Sequence, residues 1–227
     1  MILFIDVDGT IIDSYPGIAE CARRTFAEMG HPIPDEATLR TFPGPPLREN
    51  LITHGIPPAE LDRAEKIYRG YYRDFGWRMA QLFAGWARAL PAWKAAGYTL
   101  CTATSKDQSV ATRMLERLGV AEYFDYIGGA DDAHGTRPTK RHVIEWVLDE
   151  MNLRGRESEI LMIGDRSHDT EGAHALGMKA ALVGWGHGTQ AEFDAADFFA
   201  PDFPALDKIV ARWGSTPTST PIQHPRG

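Results

Sequence analysis

The chain has 227 residues, 43% of them hydrophobic and 24% charged, with a formal net charge of -7. That length supports one large domain, or one domain with a smaller insert, around a core that needs no staples. The composition excludes pervasive disorder, and the acidic balance argues against a nucleic-acid partner.

Residues 1–7 read as a buried apolar strand that runs into Asp6 and Asp8. Those carboxylates stand where an export signal would be basic and then apolar, and no apolar run reaches membrane-span length. The expectation is a cytoplasmic protein with no membrane partner, monomeric or homodimeric.

Roughly ninety residues then pass before the next strand, where a simple crossover needs only a helix and two loops. An insert over residues 15–82 is expected to be a small helical cap domain. Ile18, Cys21, Ala22, Thr25, Phe26 and Met29 mark one helical face in it, and Leu61, Ala64, Tyr68, Tyr71, Tyr72 and Phe75 mark another. Between them lies the loop "FPGPP", followed by Arg48. A helix over residues 85–96 leads back to the sheet.

Further strands are predicted over residues 98–103, 123–128, 160–163, 179–183 and 197–200, most of them separated by helical patterns. This alternation predicts an α/β, doubly wound parallel sheet with helices on both faces, built from residues 1–14 and 83–213. Residues 214–227 read as a disordered tail. Cys21 and Cys101 read as reduced, buried thiols.

In an open parallel sheet, ligands bind at the carboxyl ends of the strands, at the switch point. Asp6 and Asp8 end the first strand, Thr104, Ser105 and Lys106 follow the second, and Asp165 and Asp169 follow the fourth. Lys140 lies at the entrance to the preceding helix. Converging carboxylates repel unless a cation sits among them, and an all-oxygen set beside a phosphate favours Mg²⁺. A hydroxyl, an amine and helix-start amides suit the phosphate itself.

With "DVDGT" at residues 6–10, Thr104, Lys140 and "GDRSHD" at residues 164–169, the sequence resembles the haloacid dehalogenase-like hydrolases over nearly its whole ordered length. "FPGPPL" and "ATSKD" suggest the phosphoglycolate-phosphatase-like branch with a helical cap. The resemblance implies a Rossmann-like core, with Asp6 as nucleophile, Asp8 as acid/base and Thr104, Ser105 and Lys140 on the phosphate. It also implies Mg²⁺ held by Asp6, the Asp8 carbonyl, Asp165 and Asp169. "TRPTKR" leaves Arg137 as a competing alignment for the lysine, although a guanidinium is not the compact ammonium the role needs.

The expected reaction is hydrolysis of a small phosphorylated metabolite through an aspartyl phosphate. A phosphomutase of the same superfamily is the first alternative, and a receiver-type phospho-accepting domain, with Asp131 as acceptor, is the non-enzymatic one. A dehalogenase would lack the carboxylate at Asp8, and a phosphonatase would want a cap lysine, for which only Lys66 is present in the insert. Arg48 is read either as a contact for an anionic substrate tail or as a surface arginine. His168 and His174 read as exposed helix residues, His187 as a group near the mouth of the site, and the Tyr68, Tyr71, Tyr72 stripe as cap core.

Overall fold

The opening strand, β1 (Ile2–Ile5), is buried at every residue because it lies inside the sheet with helices on both faces. The structure, a computed structural model, describes residues 1–43 and 47–215. After β1 come β2 (Ile12–Asp13), α1 (Tyr15–Met29), α2 (Glu36–Leu39), α3 (Leu47–Thr53), α4 (Leu61–Asp74) and β3 (Gln81–Leu82). The chain then forms α5 (Trp86–Ala95), β4 (Thr99–Asp107), α6 (Gln108–Arg117), β5 (Tyr126–Ala130), α7 (Lys140–Glu150) and β6 (Ile160–Gly164). It closes with α8 (Ser167–His174), β7 (Lys179–Val183), α9 (Gln190–Ala195), β8 (Phe198–Ala200) and α10 (Phe203–Ser215).

Six strands form one sheet in the order β5-β4-β1-β6-β7-β8, all parallel. The α/β class expected from the alternation is therefore the class observed. Side chains alternate across it: Leu3 and Ile5 join Trp86, Leu90 and Leu115 on one face, and Ile2 and Phe4 join Val143, Val147 and Met162 on the other. A third cluster, with Cys21, Phe26, Leu51, Leu61 and Tyr68, fills the helical segment between β2 and β3. β2 and β3 pair antiparallel, Ile12 against Leu82, at the two ends of that segment. Both thiols are free and buried, and burial pushes each up to about 12. No helix among the described residues is long and apolar enough to cross a membrane.

Several boundaries differ from the pattern. β1 stops at Ile5 instead of residue 7, so Asp8 is placed by a turn and not by the pleat. β4 runs on to Asp107, with a register shift against β5 between Thr104 and Asp107. β5 starts at Tyr126, because Ala121–Tyr123 form a single 3-10 turn. β2 and β3 are two residues each, too short for any periodicity to mark them. Gly214 and Ser215, expected in a disordered tail, belong to α10, and residues 216–227 lie outside the described residues.

Candidate active site

After β1 the Asp6 N–H still bonds to the Ile163 carbonyl (2.8 Å), and the Val7 carbonyl then accepts from the amides of Ile11 and Ile12, which turns the chain. Gly9 makes that turn possible. Its φ is +77°, and a Cβ there would stand 2.2 Å from Asp165 Oδ2. The Thr10 carbonyl is fixed by two indole N–H donors, Trp86 at 2.8 Å and Trp185 at 2.9 Å. The loop carrying Asp6 and Asp8 is thus held by both its neighbours in the sheet and the core beneath it.

Lys140 opens α7, whose N-cap Thr139 accepts from the His142 amide. The lysine is 3% exposed, and its Nζ lies 2.7 Å from Asp6 Oδ1, 2.7 Å from Asp169 Oδ1 and 2.8 Å from the Ala103 carbonyl. Burial works against the ammonium, yet Asp169 and Asp6 hold its pKa above the ordinary lysine range. The structure separates the two alignments left open by the sequence. Arg137 packs over the Trp146 ring at 4.8 Å and reaches the Ala130 carbonyl, away from Asp6.

The β6 end supplies Asp165 and Asp169. Asp169 Oδ2 accepts the amides of Asp165 and Arg166, both at 3.1 Å, so this carboxylate fixes the loop while its other oxygen meets Lys140. Asp165 accepts the His187 amide at 2.7 Å and the Thr10 hydroxyl at 3.5 Å. Burial, followed by the charges of Asp6 and Asp169, pushes Asp165 up to about 8.

Lys106 was visible in the sequence but carried no role. The register shift in β4 brings its Nζ to 2.8 Å from Asp8 Oδ2 and 3.2 Å from the Tyr72 hydroxyl of α4. Asp107 caps α6, its side chain accepting the amides of Ser109 and Val110. Thr104 is 1% exposed and its hydroxyl accepts the Lys106 amide at 3.2 Å, while Ser105 is exposed.

Asp6, Asp8, Thr104, Ser105, Lys106 and Asp165 line one cleft of ≈ 560 Å³, joined by Arg166, His168 and His187. The helical segment contributes Ile18, Leu47 and Arg69 to its wall. Arg48 does not line it. Its guanidinium bonds to Asp62 (2.9 Å) and Glu65 (2.8 Å) on α4, the placement of the surface arginine among its two readings. Arg69, later on α4, is the arginine of the helical segment that lines the cleft; its place beside the buried Tyr68 was the available signal. His168, expected as a plain surface residue, also lines the cleft, whereas His174 pairs with Asp197 at 2.7 Å. Tyr68 belongs to the insert's core as expected, and Lys66 lies on a separate shallow depression with Glu28 and Asp74. Asp131 accepts from Thr136 and His134 in a different cleft, so it is not part of this cluster.

The donor set fits a hard divalent cation. Four carboxylates, Asp6, Asp8, Asp165 and Asp169, face two ammonium groups, Lys106 and Lys140. Among the described residues Asp8 Oδ1 is buried without a hydrogen-bond partner, and Asp165 is raised by burial first and then by the charges of Asp6 and Asp169. Ligating atoms of Asp6, Asp169 and His168 also come within 4.8 Å of one another. Oxygen donors in this excess suit Mg²⁺ better than a soft metal.

Glu192 ties the site loop to α9. Its Oε1 accepts from the Ser167 amide (2.9 Å) and Arg166 Nε (3.0 Å), and its Oε2 from the Thr189 amide (2.8 Å) and hydroxyl (2.9 Å). Burial raises its pKa, but these four donors outweigh it and hold the group at about 2, against an ordinary 4.5. A depressed pKa contributes stability that is complete above about 4.5 and lost as the pH falls toward 2. Glu192→Gln is therefore expected to cost on the order of 2 kcal/mol at neutral pH, with the deficit shrinking below pH ~4. Thermal unfolding of both proteins between neutral and acidic pH checks it; a pH-independent difference contradicts it.

Comparison with known proteins agrees with this geometry. The family model described as haloacid dehalogenase-like hydrolase matches residues 2–183. The tyrosine-protein kinase PtkA of Mycobacterium tuberculosis is 36% identical over 187 residues, which cover 82% of this chain and 63% of the relative, so the chain spans under two thirds of that protein's length. A 5'-nucleotidase of Pseudomonas aeruginosa is 34% identical over 211 residues, covering 92% of this chain and 94% of the relative. Among solved structures, a haloacid dehalogenase-like hydrolase from Streptococcus pneumoniae superposes with a TM-score of 0.82 at 33% identity, covering 93% of this chain and 97% of that one. With the acidic loop after β1, the buried lysine of α7 and the Asp165–Asp169 turn assembled at one end of a parallel sheet, this chain belongs to the haloacid dehalogenase-like hydrolase family.

Proposed function

We propose that the chain is a Mg²⁺-dependent phosphatase that hydrolyses a small phosphomonoester through an aspartyl phosphate on Asp6. One observation carries the reading: a carboxylate at the end of the central strand, lining an open cleft, clamped through a single oxygen by a buried lysine. Asp6 Oδ1 takes the Lys140 ammonium, and among the described residues Oδ2 has no hydrogen-bond or ion-pair partner. That second oxygen is the nucleophile.

A carboxylate about 4 Å from a phosphate dianion meets roughly 8 kcal/mol of repulsion at an effective dielectric near 20. Lys140 offsets part of it and restrains the attacking group. Asp6, the Asp8 backbone carbonyl and Asp165 are the groups proposed to hold Mg²⁺, with Asp169 aligning Asp165 through the loop amides it already binds. When bound, the cation supplies charge neutralisation on the phosphoryl oxygens. Thr104, Ser105 and Lys140 bind the remaining oxygens. Asp8, steadied by Lys106, protonates the leaving alcohol and then takes a proton from water that attacks the ester. The helical segment over residues 15–82 serves as the cap that covers this cleft and reads the leaving group. The similarity to a 5'-nucleotidase supports hydrolysis of a phosphomonoester.

Transfer to another hydroxyl, as in a phosphomutase, is the second reading, and the similarity to a tyrosine-protein kinase favours keeping it. One assay separates them. With p-nitrophenyl phosphate and Mg²⁺, the phosphatase releases phosphate and nitrophenol in equal amounts, and excess chelator stops the release. Nitrophenol in excess over phosphate, with the balance on an added alcohol, supports transfer. Turnover undiminished by chelation overturns the metal assignment.

A further inference from the structure

Beside the reaction cleft lies a second one of ≈ 490 Å³, and Ile18, Leu47, Arg69, Ser105 and Lys106 line both. The two are thus parts of one trough between the helical segment and the sheet. The second part is unusually basic for a chain of net charge -7: Arg69, Arg73, Lys106 and Arg113 line it against only Asp107 and Asp132. Asp107 is already the N-cap of α6 and also accepts the Asp132 amide.

Lys106 is paired with Asp8 at 2.8 Å, whereas the three arginines are held loosely or not at all by carboxylates of the described residues. Arg48 is locked between Asp62 and Glu65 at 2.9 and 2.8 Å. Among the described residues, Arg69 has only the shared Glu65 as an ion-pair partner, at 3.9 Å, and Arg73 only its chain neighbour Asp74, at 3.3 Å. No carboxylate of the described residues lies within ion-pair distance of Arg113, whose guanidinium rests 4.4 Å over the Trp77 ring. Trp77 is anchored in turn by its indole N–H on the Arg73 carbonyl, at 3.1 Å. The walls between are apolar, from Tyr68, Tyr72 and Val110. An apolar trough with a few placed polar groups is how small-molecule sites are built, and here cations outnumber carboxylates among the charged ones.

We propose that this second cleft receives the leaving group of the substrate, and that the leaving group is an apolar or aromatic body ending in its own anion, a carboxylate or a second phosphate, met by Arg113 and Arg73. The inference rests on the phosphatase reading of the adjoining site and adds the class of its substrate. Two clefts of this size also favour a body larger than a two-carbon acid. Arg113 reaches the trough from α6 and Arg73 from α4, so the anion bridges the sheet and the helical segment.

The test uses three phenyl phosphates that differ only in the para substituent: 2-carboxyethyl, 2-carbamoylethyl and 2-aminoethyl. The expected kcat/KM is about tenfold higher for the carboxylate than for the amide, with the amine lowest, as two partly exposed charge contacts would give. The ratio falls with added salt and collapses toward one in Arg113→Met and Arg73→Gln. Equal values across the three, or a ratio unchanged in both variants, overturns the cleft assignment, while turnover of phenyl phosphate itself leaves the phosphatase reading standing. Should none of the compounds turn over, calorimetric binding of the same three to Asp6→Asn decides: a graded series supports the cleft without the activity, and a flat or absent one removes it.

Discussion

Asp6→Asn is expected to lower phosphate release by about 10⁴-fold or more while leaving the fold intact, the scale of loss seen when a covalent nucleophile is removed. The substitution keeps the shape of the side chain and removes one charge. Lys140 retains Asp169 at 2.7 Å and the Ala103 carbonyl at 2.8 Å, so its ammonium is not stranded. Asp165, pushed up to about 8 partly by the Asp6 charge, loses one of its two like-charged neighbours. Stability should therefore hold or rise, which separates lost chemistry from lost structure. The measurements are steady-state phosphate release, thermal unfolding, and mass spectrometry of acid-quenched enzyme, which should show one added phosphoryl group on the native chain and none on the variant. Turnover of the variant within tenfold of the native chain, with the fold preserved, would remove Asp6 from the reaction.

The central strand and its neighbours were legible because burial on both faces writes continuous apolar runs, and the carboxyl-end motifs follow those runs directly. Asp6, Asp165 and Lys140 could be named for that reason: each sits within a residue or two of an element whose end the pattern marks. Lys106 and Arg69 were not assigned, for two different physical reasons. Lys106 reaches Asp8 because β4 shifts register after Thr104, and a bulge leaves no trace in a periodicity of two. Arg69 lines the cleft together with residues that follow β1, β4 and β6, a long-range placement that the residues of α4 alone do not encode. Arg48, read either as a substrate contact or as a surface arginine, shows the converse case. Its nearness in sequence to the proline-rich loop suggested the site, but Asp62 and Glu65, more than ten residues away, take its charge. Asp8 follows the end of β1, and the turn that contains Gly9, not strand alternation, places it at the cleft.

Lys140→Met should produce the other large effect, and it strikes stability as well as rate. The native ammonium is buried to 3% exposure with two carboxylates and a carbonyl around it. Removing one member of such a buried set leaves the others desolvated and unpaired, a loss of about 3–5 kcal/mol. The sign of the pH dependence follows from the direction of the shifts. Because the folded-state pKa of Lys140 is raised, its contribution is fully present below the ordinary lysine value and fades only at higher pH, so the deficit is complete at neutrality. In the variant, Asp6 and Asp169 confront Asp165 with no cation between them, and protonation on acidification relieves that repulsion, so the gap to the native chain narrows as the pH falls. Phosphate release should drop about 10³-fold, the scale set by loss of a preorganised charge at a transition state. Arg137→Met is the matched control, because that side chain lies over Trp146 and touches no member of the cluster. Unfolding curves and phosphate release for the two variants decide between the alignments that the sequence left open: near-native Lys140→Met beside a crippled Arg137→Met would reverse the assignment, and with it the origin of the charge that holds Asp6 in place.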